Sequence, residues 1–554
     1  MPADKNPTIM YSDKENVNIL TSLLVAHGVR HAVVCPGSRN APLAHNLNAC
    51  DHIQCYPVTD ERSAGFFALG LSQALQAPVA VCVTSGSALL NLAPAAAEAF
   101  YQHCPLVILS ADRPEEQIDQ LMGQTLPQPD ALGRMVRLSV TLPEPKDAAQ
   151  RSYCNRLVNE ALIAMRRGEG GPTHINIPIS EPLFQFSCAD LPRERRISLH
   201  CPTLSPDAAL LLKQAITQAQ RPMLCLGYEA HCLTSNLPEA DNLTVLSESA
   251  NRRQWPLEEM LTNIQENRQD YLPDLIVYIG GSFVSKRVKA FLKAAEDARI
   301  ILVNADGLVA DPSTRCTDVV QALSAEALQA VSDGAKQRTN HTFFQRWQQL
   351  AERVGTQATR HTPTFSSLLA VRQLLQDLPP QTMLHCGNSS AVRLALTCQP
   401  THFFVNRGVN GIEGSLSAAA GFAAGQPEVP VFCLVGDLSF FYDQNALWNQ
   451  NLNGNLRILL LNNGGGSIFR MLGGLEQSEA RNRMVMAEHH TTAAGICKQN
   501  DIEHRSANDD NGLSEGIVWL KGKSQRPRVL EVITDSATDE QALKTYYRLF
   551  KQHR

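Results

Sequence analysis

The 554-residue sequence predicts an α/β protein of three domains built on parallel sheets, and three observations carry that expectation. Short apolar runs rich in β-branched residues alternate with Ala/Leu-rich helical patterns through most of its length. The pattern near the start recurs near the end at an almost constant offset. Strand-like runs with no such counterpart lie between, and a chain this long exceeds one hydrophobic core.

The first strands are expected at 31–35, 79–83 and 106–109, and a second set at 383–386, 431–435 and 457–461. PVAVCV begins at Pro78 and PVFCLV at Pro430, while Glu61 and Glu413 each stand 17 residues earlier (78 − 61 and 430 − 413), so both pairs differ by 352. Ser38 and Ser389 differ by 351, as do Asp112 and Asn463. Chance likeness between common α/β elements would scatter these offsets, so their agreement points to a duplication. Two related α/β domains are expected at 1–190 and 360–554. A middle α/β domain at 200–350 has strands at 223–226, 275–279 and 300–303. The stretches 189–205 and 355–365 read as linkers, and the polar stretch 500–516 as a surface loop.

Hydrophobic residues make up 44% and charged residues 19%, a balance that can bury enough surface to fold. The net charge of −5 argues against a general nucleic-acid binder and for a small-molecule partner. No run reaches the roughly 18 apolar residues of a membrane span, and the amino terminus lacks a basic stretch followed by an apolar one. The 15 cysteines are odd in number and scattered without a C-x-x-C pair, so neither a disulfide framework nor a structural zinc site is indicated, and a reducing, cytoplasmic setting fits best. Cys82 and Cys433 lie in apolar runs and read as small buried hydrophobes, and His174 reads as a packed strand residue.

VFCLVGDLSFF places Gly436 and Asp437 at a strand end, where α/β proteins expose loops to ligands. A helix expected at 445–450 leads to a strand ending in Asn462-Asn463-Gly464-Gly465-Gly466. Adjacent parallel strands would bring Asp437 and Asn463, 26 residues apart (463 − 437), to one cation. A carboxylate, an amide oxygen and a glycine carbonyl are hard ligands suited to Mg²⁺. Each pair alone is an ordinary turn former; together, each after an apolar strand, they favour a site.

This pair resembles the signature of thiamine-diphosphate (ThDP) enzymes, which opens with Gly-Asp and closes with Asn-Asn. The resemblance implies that Asp437, Asn463 and the Gly465 carbonyl hold Mg²⁺ (or Mn²⁺), with Gly436 and Ser439 near the diphosphate. Leu438 departs from the usual second glycine, but the menaquinone-biosynthesis synthases within the family read Gly-Asp-Leu-Ser here. The segments PGSR, TDER, TSGSALLNL, ADRPEE, GPTHINIP, GNSSAVR, NRGVNGIEG and NNGGGSIF resemble those synthases in order and spacing along the whole chain. The fold implied has two related ThDP-binding domains flanking a Rossmann-like middle domain.

By the same resemblance Glu61 is the catalytic carboxyl on the cofactor's aminopyrimidine, favouring the tautomer that removes the thiazolium proton. From periodicity alone it reads as a first-turn carboxylate facing a helix dipole. Ile412 aligns with the bulky residue that supports the bent cofactor, and otherwise reads as core.

Ser38 and Arg39, Arg113, Ser389 and Arg393, Arg407, and Lys286-Arg287 recur after strands. Arginines bind carboxylates bidentately, so clustered they imply a polyanionic substrate, although most such residues are plain surface cations. The resemblance implies 2-oxoglutarate as donor, near Ser389, Arg393 and Arg407, and isochorismate as acceptor, near Arg39, Arg113, Gln124, Lys286 and Arg287. Gly123 stands where an asparagine often precedes that glutamine. Phe469 and Leu472 would give an apolar wall or pack in the core.

The reaction implied is decarboxylation of 2-oxoglutarate and 1,4-addition of the succinyl carbanion equivalent to isochorismate. It is catalysed by a homodimeric or homotetrameric transferase whose cofactor is usually held between two subunits. The rivals are another ThDP-dependent decarboxylase or an acetolactate-synthase-like carboligase, and, in a different class, a non-catalytic nucleotide-binding tandem α/β protein. For the last, Gly280-Gly281 without G-x-G-x-x-G is a thin sign. His489-His490 and Asp509-Asp510 read as exposed polar pairs.

Overall fold

A computed structural model describes residues 10–200, 203–228, 242–248, 255–312, 314–376, 378–379, 382–400 and 403–551. The chain forms two compact units, one of residues 1–201, 416–428 and 443–453, the other of 202–415, 429–442 and 454–554.

In the first unit, β1 (Tyr11–Ser12) pairs antiparallel with a strand met later. The main sheet follows with β2 (His31–Val34), β3 (Gln54–Pro57), β4 (Val79–Val83), β5 (Leu106–Asp112), β6 (Ser139–Thr141) and β7 (Thr173–Pro178); β8 (Phe186–Cys188) is the partner of β1. The six strands run parallel in the order β3-β2-β4-β5-β7-β6. Every residue of β4 and β5 is buried, the reading of a strand covered on both faces. His174 on β7 is fully buried between the Ser110 and Ser139 hydroxyls, as expected of a packed strand residue.

The same unit holds the helix Glu61–Leu75 and, in backbone contact with it, all but the first residue of the helix Ser415–Gly425. A Cβ at Gly70 would sit 1.8 Å from the Ala418 carbonyl oxygen, and one at Gly421 would sit 2.0 Å from that of Phe67. Only glycine permits this approach. The Ser63 and Ser417 hydroxyls meet at 2.8 Å, and Asp443 accepts from the Ser417 amide and hydroxyl, each at 2.8 Å.

The second unit contains two parallel sheets. One has β9 (Pro222–Leu226), β10 (Thr244–Ser247), β11 (Leu275–Ile279), β12 (Arg299–Asn304) and β13 (Asp318–Gln321), in the order β10-β9-β11-β12-β13. The other has β14 (Met383–Cys386), β15 (Phe403–Val405), β16 (Val431–Gly436), β17 (Leu456–Asn462), β18 (Glu503–Ala507) and β19 (Arg528–Ile533), in the order β15-β14-β16-β17-β19-β18. This order repeats that of the first sheet strand for strand, so the duplication read from residue offsets is a duplication of topology. One apolar cluster joins both sheets of the unit, with Met223, Ile276, Trp347, Leu384 and Leu459 among its members.

Three local expectations give way. The helix Thr342–Arg360 runs through the start of the expected 355–365 linker, because Phe343, Trp347, Leu350, Val354 and Ala358 bury one helical face while Gly355 lies on an open one. The expected loop 500–516 contains β18 and the start of the helix Asp510–Lys521, capped by Asp509, which accepts from the Gly512 amide at 2.7 Å. In place of a helix at 445–450, a helix begins at Asp437 itself (Asp437–Tyr442), followed by one 3-10 turn, Gln444–Leu447. The stretch 189–200 is free of helix and strand, as a linker should be. Among the described residues no helix is long and apolar enough to cross a membrane.

Candidate active site

In the second unit, the carboxyl ends of β14, β16 and β17 open on a cavity of about 190 Å³. Asp437 follows β16 directly and is nearly buried. One carboxylate oxygen accepts the Leu438 amide at 2.7 Å and the other the Gly465 amide at 2.9 Å. Burial raises its pKa above the ordinary carboxylate value, against the pull of those amides and of His489. The His489 Nε2 lies 3.4 Å from Asp437, and its Nδ1 accepts the Thr491 amide at 3.1 Å, so in the neutral ring the hydrogen sits on Nε2.

Asn463 follows β17. Its Nδ2 donates to Asp539 at 2.8 Å and to the Ser467 hydroxyl at 3.0 Å, which leaves its Oδ1 as the acceptor. Gly465 has φ +144, and a Cβ there would lie 2.7 Å from the Met486 carbonyl oxygen, so a side chain is excluded. Gly436, Asp437, Ser439, Asn463 and Gly465 all line the one cavity. Their carboxylate, amide and backbone oxygens are a donor set that fits a hard divalent cation beside a diphosphate. No group of three His, Cys, Asp or Glu among the described residues offers a competing metal site.

Ile412 also lines the cavity and is 38% exposed, so it is not a core residue; its carbonyl accepts the Ser439 hydroxyl. Phe469 lines the cavity, as do Ile468 and Met471. Leu472 does not, and is 45% exposed rather than packed.

Ser389 and Arg393 form another part of the wall. Ser389 has φ +69, a strained backbone for a residue with a side chain, and its carbonyl accepts from Arg393 at 2.6 Å. Arg407 donates to the Asn388 side chain at 3.1 Å, and Asn388 lines the same cavity. Lys286 and Arg287 begin the helix Lys286–Ala294. Arg287 pairs with Glu258 and lies 4.5 Å over the Tyr547 ring, so its charge is partly spent within the protein. Lys289, one turn on, is held below its ordinary value by burial first, then by the charges of Arg407, Arg393 and Lys286, with Glu248 opposing.

In the first unit, Ser38 is exposed just after β2. Arg39 is buried, donating to the Ile179 carbonyl at 2.9 Å and to Glu181 at 3.2 Å. Arg113 donates to the Gly123 carbonyl at 3.0 Å and to Gln117 at 3.3 Å, so the departure at Gly123 supplies only backbone. Gln124 is exposed, with φ +57. Glu61 opens the helix Glu61–Leu75, but Asp60 is the cap, accepting from the Ser63 amide at 3.0 Å. Glu61 is therefore not needed to cap the helix, and it accepts from Asn91 at a long 3.3 Å.

Sequence reasoning missed Asn388, Ser467, Lys289 and Asp539, and read His489 as exposed although its side chain is only 17% accessible. Lys289 had a findable sign, standing three residues after Lys286 on one helix face. Asn388 and Ser467 also had one, standing beside Ser389 in GNSSAVR and four residues after Asn463 in NNGGGSIF, whereas Asp539 and His489 carry no spacing signal and reach Asn463 and Asp437 only through the fold.

Residues 15–132 match the family described as "Thiamine pyrophosphate enzyme, N-terminal TPP binding domain", and residues 386–532 match the corresponding "C-terminal TPP binding domain". Fold and site thus define a thiamine-diphosphate-dependent enzyme. Over 98% of its length the chain is 39% identical to the 2-succinyl-5-enolpyruvyl-6-hydroxy-3-cyclohexene-1-carboxylate synthase of Phocaeicola vulgatus, covering 99% of that protein. It is 40% identical to the same synthase of Bacteroides thetaiotaomicron (98% and 100% covered) and 35% identical to that of Desulfotalea psychrophila (94% and 98%). The chain belongs to this synthase family.

Proposed function

We propose that the chain decarboxylates 2-oxoglutarate and adds the succinyl unit to isochorismate, the step of menaquinone biosynthesis that the family name describes. The observation that carries this is the convergence of Asp437, Asn463 and Gly465 with Ser389 and Arg393 on one cavity, in a chain that matches its relatives end to end. Bound ThDP supplies a nucleophilic carbon and an electron sink.

In this reading Asp437, Asn463 and the Gly465 carbonyl hold Mg²⁺ or Mn²⁺, Gly436 and Ser439 flank the diphosphate, and Ile412 supports the cofactor. Glu61 holds a proton on the aminopyrimidine nitrogen. Arg393, Arg407 and Ser389 grip the 2-oxoglutarate carboxylates, while Ser38, Arg39, Arg113, Gln124, Lys286 and Arg287 face isochorismate. Phe469 keeps water from the reacting carbon. The apolar wall favours loss of CO₂ by stabilising the less charged transition state.

We also propose three domains, at 1–190, 200–350 and 360–554, a cytoplasmic homodimer or homotetramer, and cofactor sites completed by two copies. The test is CO₂ release and product formation with ThDP, Mg²⁺ and 2-oxoglutarate, with and without isochorismate, for wild type and Glu61→Gln. Acceptor-dependent product that Glu61→Gln reduces at least a hundredfold is expected. Folded, cofactor-loaded protein that makes neither CO₂ nor product would sink the substrate assignment.

A further inference from the structure

Asp539 stands in the first turn of the helix Ser536–Arg548, 76 residues after Asn463 (539 − 463), and its carboxylate gathers three separate segments. One oxygen accepts the Ser367 amide at 2.7 Å. The other accepts the Ser367 hydroxyl at 2.6 Å, the Asn463 Nδ2 at 2.8 Å and the Thr534 hydroxyl at 3.1 Å. Asp539 also lines the cavity that contains Asp437.

An amide can present either its oxygen or its nitrogen to a cation, and only the oxygen binds one. A carboxylate accepts hydrogen bonds and donates none, so the end of Asn463 that faces Asp539 must be the nitrogen. The opposite orientation would set an amide oxygen against a carboxylate oxygen. With Nδ2 held by Asp539 and Ser467, the Asn463 Oδ1 is left for the metal.

We propose that Asp539 is a positioning residue, which fixes the Asn463 amide with its oxygen toward the cation. The inference rests on the reading of Asp437 and Asn463 as metal ligands. Asp539→Asn is the informative change because it preserves shape. The Ser367 amide still requires an acceptor, so the new side chain turns its own NH₂ toward Asn463. Two donors then oppose each other, and Asn463 is driven to flip its nitrogen onto the cation.

The experiment titrates Mn²⁺ into the full-length protein with ThDP and reads free ion by electron paramagnetic resonance. Asp539→Asn should weaken Mn²⁺ binding about tenfold or more, the usual effect of losing an outer-shell partner. The exchange Asn463→Asp with Asp539→Asn restores a donor facing an acceptor and keeps an oxygen for the metal, so it should regain most of the lost affinity. Wild-type affinity in Asp539→Asn overturns the proposal. So does a double variant no better than Asp539→Asn alone, the result expected if Asp539 only ties Ser367 and Thr534 together. Should Asp539→Asn fail to fold, Asp539→Ser is read in its place, with the same loss expected and wild-type affinity again overturning the idea. Asp437→Asn is the control for the underlying reading: if it too leaves Mn²⁺ affinity unchanged, the metal site itself is misassigned, a failure separate from that of Asp539.

Discussion

At the scale of single residues, the cavity shows how much of a site lies in orientation rather than composition. Arg393 is tied by one guanidinium nitrogen to the Ser389 carbonyl, which fixes the direction of the planar fork. Arg393→Lys keeps the charge and loses the fork, so the KM for 2-oxoglutarate should rise roughly tenfold or more with a smaller change in kcat. Steady-state kinetics at saturating isochorismate checks this, and an unchanged KM would remove Arg393 from the donor pocket. Outside the site, Glu259 is fully buried with one oxygen accepting the Tyr546 hydroxyl at 2.7 Å and the other without a hydrogen-bond partner. Burial raises its pKa from the ordinary 4.5 to about 7. The folded protein therefore holds a proton that the unfolded chain releases, and stability from this group falls as pH rises from 4.5 to about 7, then levels. Glu259→Gln stays neutral and keeps an acceptor for Tyr546. Its stability relative to wild type should improve across that window by on the order of 2 kcal/mol, measured as urea midpoints at pH 5 and pH 8; a constant difference would contradict the buried-charge account.

At the scale of elements, what was legible in the sequence depended on whether one local pattern held the whole signal. Asp437 and Asn463 could be paired because each ends an apolar strand, and β16 and β17 are neighbours in register. Asp539 could not, because its helix carries only capping signals and its partners Ser367 and Asn463 reach it through tertiary folding. The stretch 500–516 misled because polar residues dominate β18, a strand at the sheet edge, where burial does not demand apolar side chains. Small-residue patterns were legible as helix but not as contact. The approach of Gly70 to Ala418 and of Gly421 to Phe67 is seen only once both helices are in place. Gly421→Ala should therefore destabilise the first unit by about 1–3 kcal/mol despite alanine's better helix propensity. Thermal unfolding checks the sign, and a stabilised variant would mean the helices separate easily.

At the scale of the whole molecule, the proposed function has the duplication divide the chemistry. Glu61 stands at the start of a helix in the first unit, and Asp437 stands at a strand end in the second. The first and last sheets share one strand order, yet in the proposed reading one copy would contribute a proton-holding carboxyl and the other a cation site, so that neither copy alone would be a catalyst. If each site is completed by two chains, as proposed, inactive variants can complement each other. Glu61→Gln and Asp437→Asn, produced separately, should each be nearly inactive. Co-produced in equal amounts, half of the dimers are mixed, and each mixed dimer joins one unaltered Glu61 to one unaltered Asp437 while its second site carries both changes. Activity should return to about a quarter of wild type. Sites complete within a single chain would leave the mixture as inactive as its components, because every chain then carries one fatal change.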